Sequence, residues 1–412
     1  MKRKYIYLSS KNFDGTVFIT QVADWLSVYN ENGIAFDYYH LLYYPYLWDK
    51  SARKQQLEEI KKATSYFKDY SFCFPSRGLF IYLNAMLWHF KLRRYYKEYD
   101  EILLFSRNIF GKEIYILKKL APIPIIFYYD ARAASAEENR YNAVKHKDFS
   151  YRKYKTFAHI YYTEYKTVST ADHIFAVSDK LKKYFQINYD ISPEKVFIYP
   201  CLSDSSKFYF DNEVRTKTRN ELAYSNNEQV YLYAGGLSGE YHITNCIFDF
   251  FSFIAQKNSN ARFLLLSEDK SAITDKLKKH PDLINILINM SVSNNEMINY
   301  LNAADFGLLF RDNVLMNNVA SPTKFAEYML CGLPVIISEG VGDYSEFSNK
   351  EGVGIVVSET EMYNWDSFDY KKISEHQFDR NFISTIGKKN FSKLSLINQI
   401  IGEIKREYFN ES

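Results

Sequence analysis

The sequence predicts an α/β protein built from two doubly wound domains, each around a parallel sheet. Three observations lead there. Residues 4–8 form a short apolar run, a polar loop holding Gly15 follows, and then Phe18, Val22, Trp25, Leu26 and Tyr29 recur at helical spacing. The same opening returns past the middle: an apolar run at 230–234, a turn containing Gly235, Gly236 and Gly239, and a stripe of Ile243, Cys246, Ile247, Phe250 and Ile254. Around these, further short apolar runs alternate with helical patterns, as βαβ units require.

In chain order, residues 4–8 are the first strand, and Gly33 stops the helical pattern that begins near Thr16. Residues 101–105, 124–129 and 173–177 are further buried strands, each followed by loop residues and a helical pattern. Residues 51–97 break the alternation: they read as helical and carry an apolar stretch from Leu83 to Phe90, followed by Lys91, Arg93, Arg94 and Lys97. Such a segment suits a membrane interface or a lipid-linked substrate, and equally a packed helix with a solvated basic end. The polar stretch 203–228 joins the halves, and 230–234, 263–266, 306–310 and 335–338 are strands of the second domain. The expected division is 1–205, 206–389 and a closing helix within 390–412 that crosses back to the first domain. Ligands of such sheets sit at the carboxyl ends of the strands, so two facing sheets predict a shared cleft.

Composition narrows the function. The 412 residues are 47% apolar and 25% charged, the balance of a folded chain. Fifty-two Lys and Arg against 49 Asp and Glu give a net charge of +3, which argues against nucleic acid as a partner. Aromatic residues are 18%, with 37 Tyr and 32 Phe, a content that suits ligand clefts and membrane interfaces as well as reflecting codon usage. Cys73, Cys201, Cys246 and Cys331 form no CxxC pair, and the start carries no signal sequence, so the expected compartment is the cytoplasm. The eight His residues fall into no HxH or HExxH spacing, so no metal is expected. No apolar run is long enough to span a bilayer.

The most informative stretch is 321–336. Ser321 reads as an N-cap with Pro322 at the first helical position, and Gly332 with Pro334 ends the helix. Phe325, Ala326, Met329 and Leu330 form its buried stripe, and Lys324, Glu327 and Tyr328 the opposite one. Lys324 in the first turn is a local conflict, because the macrodipole and free N–H groups there favour an anion. A bound phosphate resolves it, and Glu327 can accept from two neighbouring hydroxyls, as on a ribose. A solvated Lys–Glu pair is the plainer alternative.

With these residues the chain resembles the bacterial glycosyltransferases of GT-B fold, most closely the retaining family 4 that builds capsules, O-antigens and related polysaccharides. The likeness covers nearly the whole chain and is strongest over 231–357. The helix 321–336 resembles that family's donor-site helix, which implies that Lys324 holds the diphosphate and Glu327 the ribose, with Ser321 and Thr323 beside them. Asn294, Asn295, Glu296 and the segment 300–305 are similar to the lead-in before the site, and 340–343 to a capsule-type loop. Asp130, Arg132 and Glu137 resemble a motif after a central strand. Glu164 with 171–178, and 195–201 with Asp204 and Phe208, resemble the close of the first domain.

Two departures from the family pattern stand out. The first of two glutamates is replaced by Val319, eight positions before Glu327, so its role passes to the backbone, Asn318 or Arg311, or is absent. The loop at Gly235 and Gly236 carries no base, which leaves glycine amides, Lys324, and Arg311 or Arg132 for the diphosphate.

Transfer from a nucleotide sugar develops charge on the leaving diphosphate, which the site must stabilise. The sequence has no D-x-D pair for a metal, so side-chain cations, helix N-termini and amides are expected to suffice, without cofactor. If the reaction retains configuration, as the resemblance implies, the leaving phosphate takes the acceptor proton. Asp130 is then the candidate group near the donor sugar, against a plain capping role. Gly15 either lets the first loop approach the phosphates or serves a simple turn. The expected function is transfer of a sugar from a nucleotide-sugar donor to a glycan or polyprenyl-linked acceptor, at the cytoplasmic face of the inner membrane in peripheral contact with it. The alternatives are an inactive nucleotide-binding partner subunit and, in the same fold, a sugar-nucleotide 2-epimerase. A dinucleotide oxidoreductase is excluded by the lack of G-x-G-x-x-G.

Overall fold

The computed structural model describes residues 1–9, 18–147, 150–237 and 243–406. The chain forms two units, Met1–Tyr199 and Pro200–Ser412.

The first unit holds a parallel sheet of seven strands. They are β1 (Arg3–Ser9), β2 (Phe36–Tyr43), β3 (Phe67–Cys73), β4 (Glu101–Ser106), β5 (Ile125–Ala131), β6 (His173–Ala176) and β7 (Val196–Ile198), in the order β3-β2-β1-β4-β5-β6-β7. Every residue of β4 is buried, as expected of a central strand covered on both faces. The first helix opens with one π-helical turn, Ile19–Ala23, continues as α1 (Asp24–Glu31), and ends at Gly33, whose φ is +84°. The expected helical run over 51–97 is a strand flanked by two helices: α2 (Lys50–Ala63), β3 and α3 (Phe80–Leu92). β3 escapes a periodicity reading because it is an edge strand, with Lys68 exposed and Asp69 only partly buried. α4 (Gly111–Leu120), α5 (Ser135–Lys145), α6 (Tyr151–Thr170) and α7 (Asp179–Tyr189) complete the unit.

The second unit opens with α8 (Asn212–Glu221) and holds a parallel sheet of six strands. These are β8 (Gln229–Ala234), β9 (Ala261–Leu266), β10 (Leu287–Met290), β11 (Phe306–Leu309), β12 (Val335–Ser338) and β13 (Gly354–Val357), in the order β10-β9-β8-β11-β12-β13. α9 (Thr244–Lys257) lays Phe250, Phe251 and Ile254 onto this sheet, where Phe251 meets Phe263 at 4.5 Å and Phe250 meets Trp365 at 4.8 Å. Much of the aromatic content is spent in cores of this kind: Tyr38, Tyr128, Tyr231 and Tyr328 are all buried. α10 (Lys270–Leu277) follows β9, α11 (Met297–Ala303) follows β10, and α12 (Leu315–Asn318) and α13 (Thr323–Leu330) follow β11. α14 (Tyr344–Glu351) follows β12, and α15 (Glu359–Tyr363), α16 (Lys371–Ser374), α17 (Arg380–Phe391) and α18 (Lys393–Arg406) follow β13. α18, the expected closing helix, is grouped with this second unit.

In both sheets the strand order reverses beside the first strand of the unit, between β1 and β4 and between β8 and β11. Loops leaving the carboxyl ends of these strand pairs flank a crevice, the ordinary ligand position of an open α/β sheet.

Candidate functional site

The second unit brings most of the expected donor residues to its reversal point. Gly235 and Gly236 leave β8, Arg311 lies just past β11, and Lys324 and Glu327 stand on α13. Gly235 has φ of +152°, and a Cβ there would come within 3.2 Å of Lys324 Cε. Bare backbone therefore lies against the lysine stem, as close approach to a ligand requires. The loop is fixed from both sides: Tyr233 donates its hydroxyl to the Gly236 carbonyl at 2.9 Å, and Leu237 N–H donates to Asp269. Ser238, Gly239, Glu240 and Tyr241, the rest of that expected turn, lie outside the described residues, as does Gly15.

The helix start differs from the sequence reading. Pro322 is the N-cap and Thr323 the first helical residue, and Ser321 makes no cap. Its Oγ accepts instead from Cys201 N–H at 2.8 Å and pairs with Tyr344 Oη at 2.6 Å. Pro322 has no side-chain oxygen with which to cap, so the amides of the first turn are not capped by it. Tyr328 also departs from the expected polar stripe. It is fully buried, donates to the Leu308 carbonyl at 3.3 Å, and packs where a Cβ on Gly307 would stand 2.7 Å from its ring. The helix is buried nearly all round, with only Thr323 and Lys324 half-buried.

Electrostatics set these two residues apart. Burial lowers the Lys324 pKa, Glu327 opposes that, and Arg311 adds to it. Burial raises the Glu327 carboxyl, while Lys324 and Lys393 pull it down. Arg311 is lowered by burial, and its Nε is buried without a hydrogen-bond partner among the described residues. The result is a cluster of cations around one carboxylate, desolvated, with the Lys324 stem beside the Gly235 loop, an arrangement that can take an anion. Lys393, at the start of α18, was not among the expected residues. Only the return of the chain at Ser203, whose N–H donates to Phe391 O and whose carbonyl accepts from Lys393 N–H, brings it there.

Asn318, weighed as a substitute for the glutamate that Val319 replaces, faces another task. Asn318 Nδ2 donates to Asn313 Oδ1 at 2.8 Å and to the Gly340 carbonyl at 2.7 Å, clamping the 339–343 loop. Val319 is buried.

In the first unit Asp130 ends β5 and is buried. Tyr7 donates to its Oδ2 at 2.7 Å, and Arg132 reaches it with Nε at 2.6 Å from Oδ1 and Nη2 at 3.2 Å from Oδ2. Arg132 also stacks on Tyr199, 5.0 Å from the ring centre. Arg132 is thus the ion-pair partner of Asp130.

The family model described as "Glucosyltransferase 3-like, C-terminal domain" matches residues 248–377, which contain Arg311, Lys324 and Glu327. No curated protein matches the chain. Among solved structures, Anabaena Alr3699/HepE in complex with UDP is similar over 98% of this chain and 100% of its own, at 15% identity and a TM-score of 0.67. The lipopolysaccharide outer core galactosyltransferase WaaB, in its apo form, is similar over 98% and 99%, at 11% identity and a TM-score of 0.66. UDP-GlcNAc 2-epimerase from Neisseria meningitidis is similar over 98% and 100%, at 12% identity and a TM-score of 0.54. The fold is that of the GT-B glycosyltransferase structures, and residues 248–377 of its second unit are similar to the glucosyltransferase 3-like C-terminal domain.

Proposed function

We propose that the protein is a glycosyltransferase that moves a sugar from a UDP-sugar to a glycan acceptor on a lipid carrier, with retention and without metal, in the manner of retaining family 4 enzymes of surface polysaccharide assembly. The observation that carries this reading is Lys324, a desolvated ammonium at an uncapped helix start, lying against the bare backbone of Gly235. Such a group is poorly placed until an anion arrives, and a diphosphate supplies it. UDP is the nucleotide found with HepE, which supports that base here.

In this reading Lys324, Arg311 and the amides of Gly235 and Gly236 hold the diphosphate, and Glu327 accepts from the ribose hydroxyls. As the glycosidic bond to the leaving oxygen breaks, negative charge grows on the phosphate, where these donors are already in place. The leaving phosphate takes the acceptor proton. Asp130, held by Tyr7 and Arg132, keeps a fixed carboxylate on the acceptor-binding unit. An epimerase would use the same nucleotide ligands, but the glucosyltransferase-type match over 248–377 favours transfer.

Contact with a lipid surface is supported by α3. Leu79, Phe80, Tyr82, Leu83, Met86 and Phe90 are exposed, with Leu79 at 84%. Arg77, Arg93 and Lys97 are exposed beside them, an apolar face rimmed by cations.

The deciding experiment is a thermal-shift panel of UDP-, GDP-, CMP- and ADP-sugars on wild type and Glu327→Ala. Stabilisation by one nucleotide class, lost in the variant, is expected. No shift with any nucleotide would remove the donor-site reading and leave Lys324 and Glu327 as a plain ion pair.

A further inference from the structure

Arg107 is the first residue past β4, so it stands at the reversal point of the first sheet, beside the carboxyl end of β1. None of the roles above uses it. Its Nη2 donates to Gln21 Oε1, and Gln21 lies in the π-helical turn Ile19–Ala23, a distortion frequent at functional sites. Its Nη1 is buried and has no hydrogen-bond partner among the described residues. The guanidinium lies close enough to act on the phenols of Tyr7, Tyr38 and Tyr129.

The ions acting on Tyr7 are Asp130, Arg107 and Arg132, and Asp130 is already committed to Arg132 and to the Tyr7 hydroxyl. Arg107 is left without that carboxylate, and its buried Nη1 has no acceptor among the described residues. Leaving a buried charged donor unmade is costly, and a protein keeps one where a ligand completes it.

A neutral donor stands nearby on β2. His40 is buried, its Nδ1 is 2.8 Å from the Tyr38 hydroxyl, and its Nε2 has no partner among the described residues. Burial lowers its pKa to about 4, so it remains uncharged at neutral pH. Tyr38 also receives a hydrogen bond from Ser9, and with its own proton given to Nδ1 the imidazole carries its hydrogen on Nε2. Two donors, one on β2 and one just past β4 on the other side of β1, thus await acceptor oxygens.

We propose that Arg107 anchors an anionic group of the acceptor, a phosphoryl or carboxylate group, at the reversal point of the first sheet, with His40 Nε2 donating to a further oxygen of the same acceptor. This rests on the reading that the first unit takes the acceptor and the second the nucleotide.

The test titrates the full chain, saturated with UDP so that the donor site is filled, with farnesyl phosphate, glucuronate, inorganic phosphate and, as a neutral control, octyl glucoside. Farnesyl phosphate binding that weakens about ten- to a hundredfold in Arg107→Gln, recovers in part in Arg107→Lys, and leaves UDP affinity unchanged supports a phosphorylated acceptor. The same pattern with glucuronate alone supports an acidic sugar. Equal anion binding by wild type and Arg107→Gln, or no anion binding at all, overturns the proposal. A loss of UDP affinity in Arg107→Gln overturns it too, since Arg107 would then serve the donor. If wild type binds no UDP, the donor reading fails on its own, and the anion titrations repeated without UDP still decide the anchor. If Arg107→Gln does not fold, the comparison rests on Arg107→Lys, which keeps the charge but not the fork and is expected to bind the anion severalfold more weakly.

Discussion

Lys324 and Glu327 show how much a single residue discloses when it contradicts its surroundings. A lysine in a first helical turn was visible in the sequence as a conflict, and the structure adds the desolvation that sharpens it. Glu327→Ala is expected to cost about 1.5–3 kcal/mol of UDP binding, read by calorimetry, since it removes a charged hydrogen-bond acceptor. The pH dependence follows from the two shifts. Diphosphate binding needs Lys324 protonated, and its lowered pKa moves the alkaline loss of affinity below the ordinary lysine range. Ribose binding needs Glu327 ionised, and its raised pKa moves the acidic loss above the ordinary carboxylate range. UDP affinity is therefore expected to follow a bell narrower than free side chains would give, with Glu327→Gln flattening its acidic limb. Arg107 and Lys393 were not legible, because each draws its meaning from partners far along the chain. Ser321 misled for a related reason: its hydroxyl prefers Cys201 and Tyr344 to its own helix.

At the scale of elements, α13 is placed by what presses on it. A Cβ on Gly387 of α17 would stand 2.4 Å from the Met329 carbonyl group, so the two helices meet backbone to backbone. Gly387→Ala is expected to destabilise by about 1–3 kcal/mol in urea denaturation, as overpacking does, and to weaken UDP binding by shifting Lys324. Gly402→Ala, in α18 where no atom stands within 4 Å of the new methyl, is the control and should be neutral or slightly stabilising. Helix existence was read well where periodicity was strong, as in α1 and α9. β2, β3, β7, β10 and β13 were missed: β2 carries an unbroken buried run without alternation, and the other four are partly exposed edges. Short strands of this sort acquire their form from the neighbours they pair with.

For the whole molecule, the repeated strand–glycine loop–helix opening disclosed two sheets of one class, but not the strand order that creates their reversal points. That order depends on pairings between segments remote in sequence. Surface character was half legible. The apolar face of α3 was visible as composition, while Asp69 of β3 takes up Lys91 and Arg94, at 2.8 and 3.1 Å, and so trims the basic rim. The full chain is expected to float with anionic vesicles at low salt and to be released as salt rises. Met86→Glu with Phe90→Glu should lower the bound fraction about fivefold or more, because each change removes buried apolar area and adds repulsion.

The cations gathered around Glu327 carry a consequence for the life of the protein. A site that concentrates desolvated positive charge is least comfortable when empty, and a ligand that binds only the folded chain adds to stability in proportion to the logarithm of its concentration. The enzyme should therefore resist proteases better when its sugar nucleotide is plentiful. A cell that runs short of precursor would clear the catalyst that consumes it, matching enzyme supply to substrate supply with no dedicated regulator.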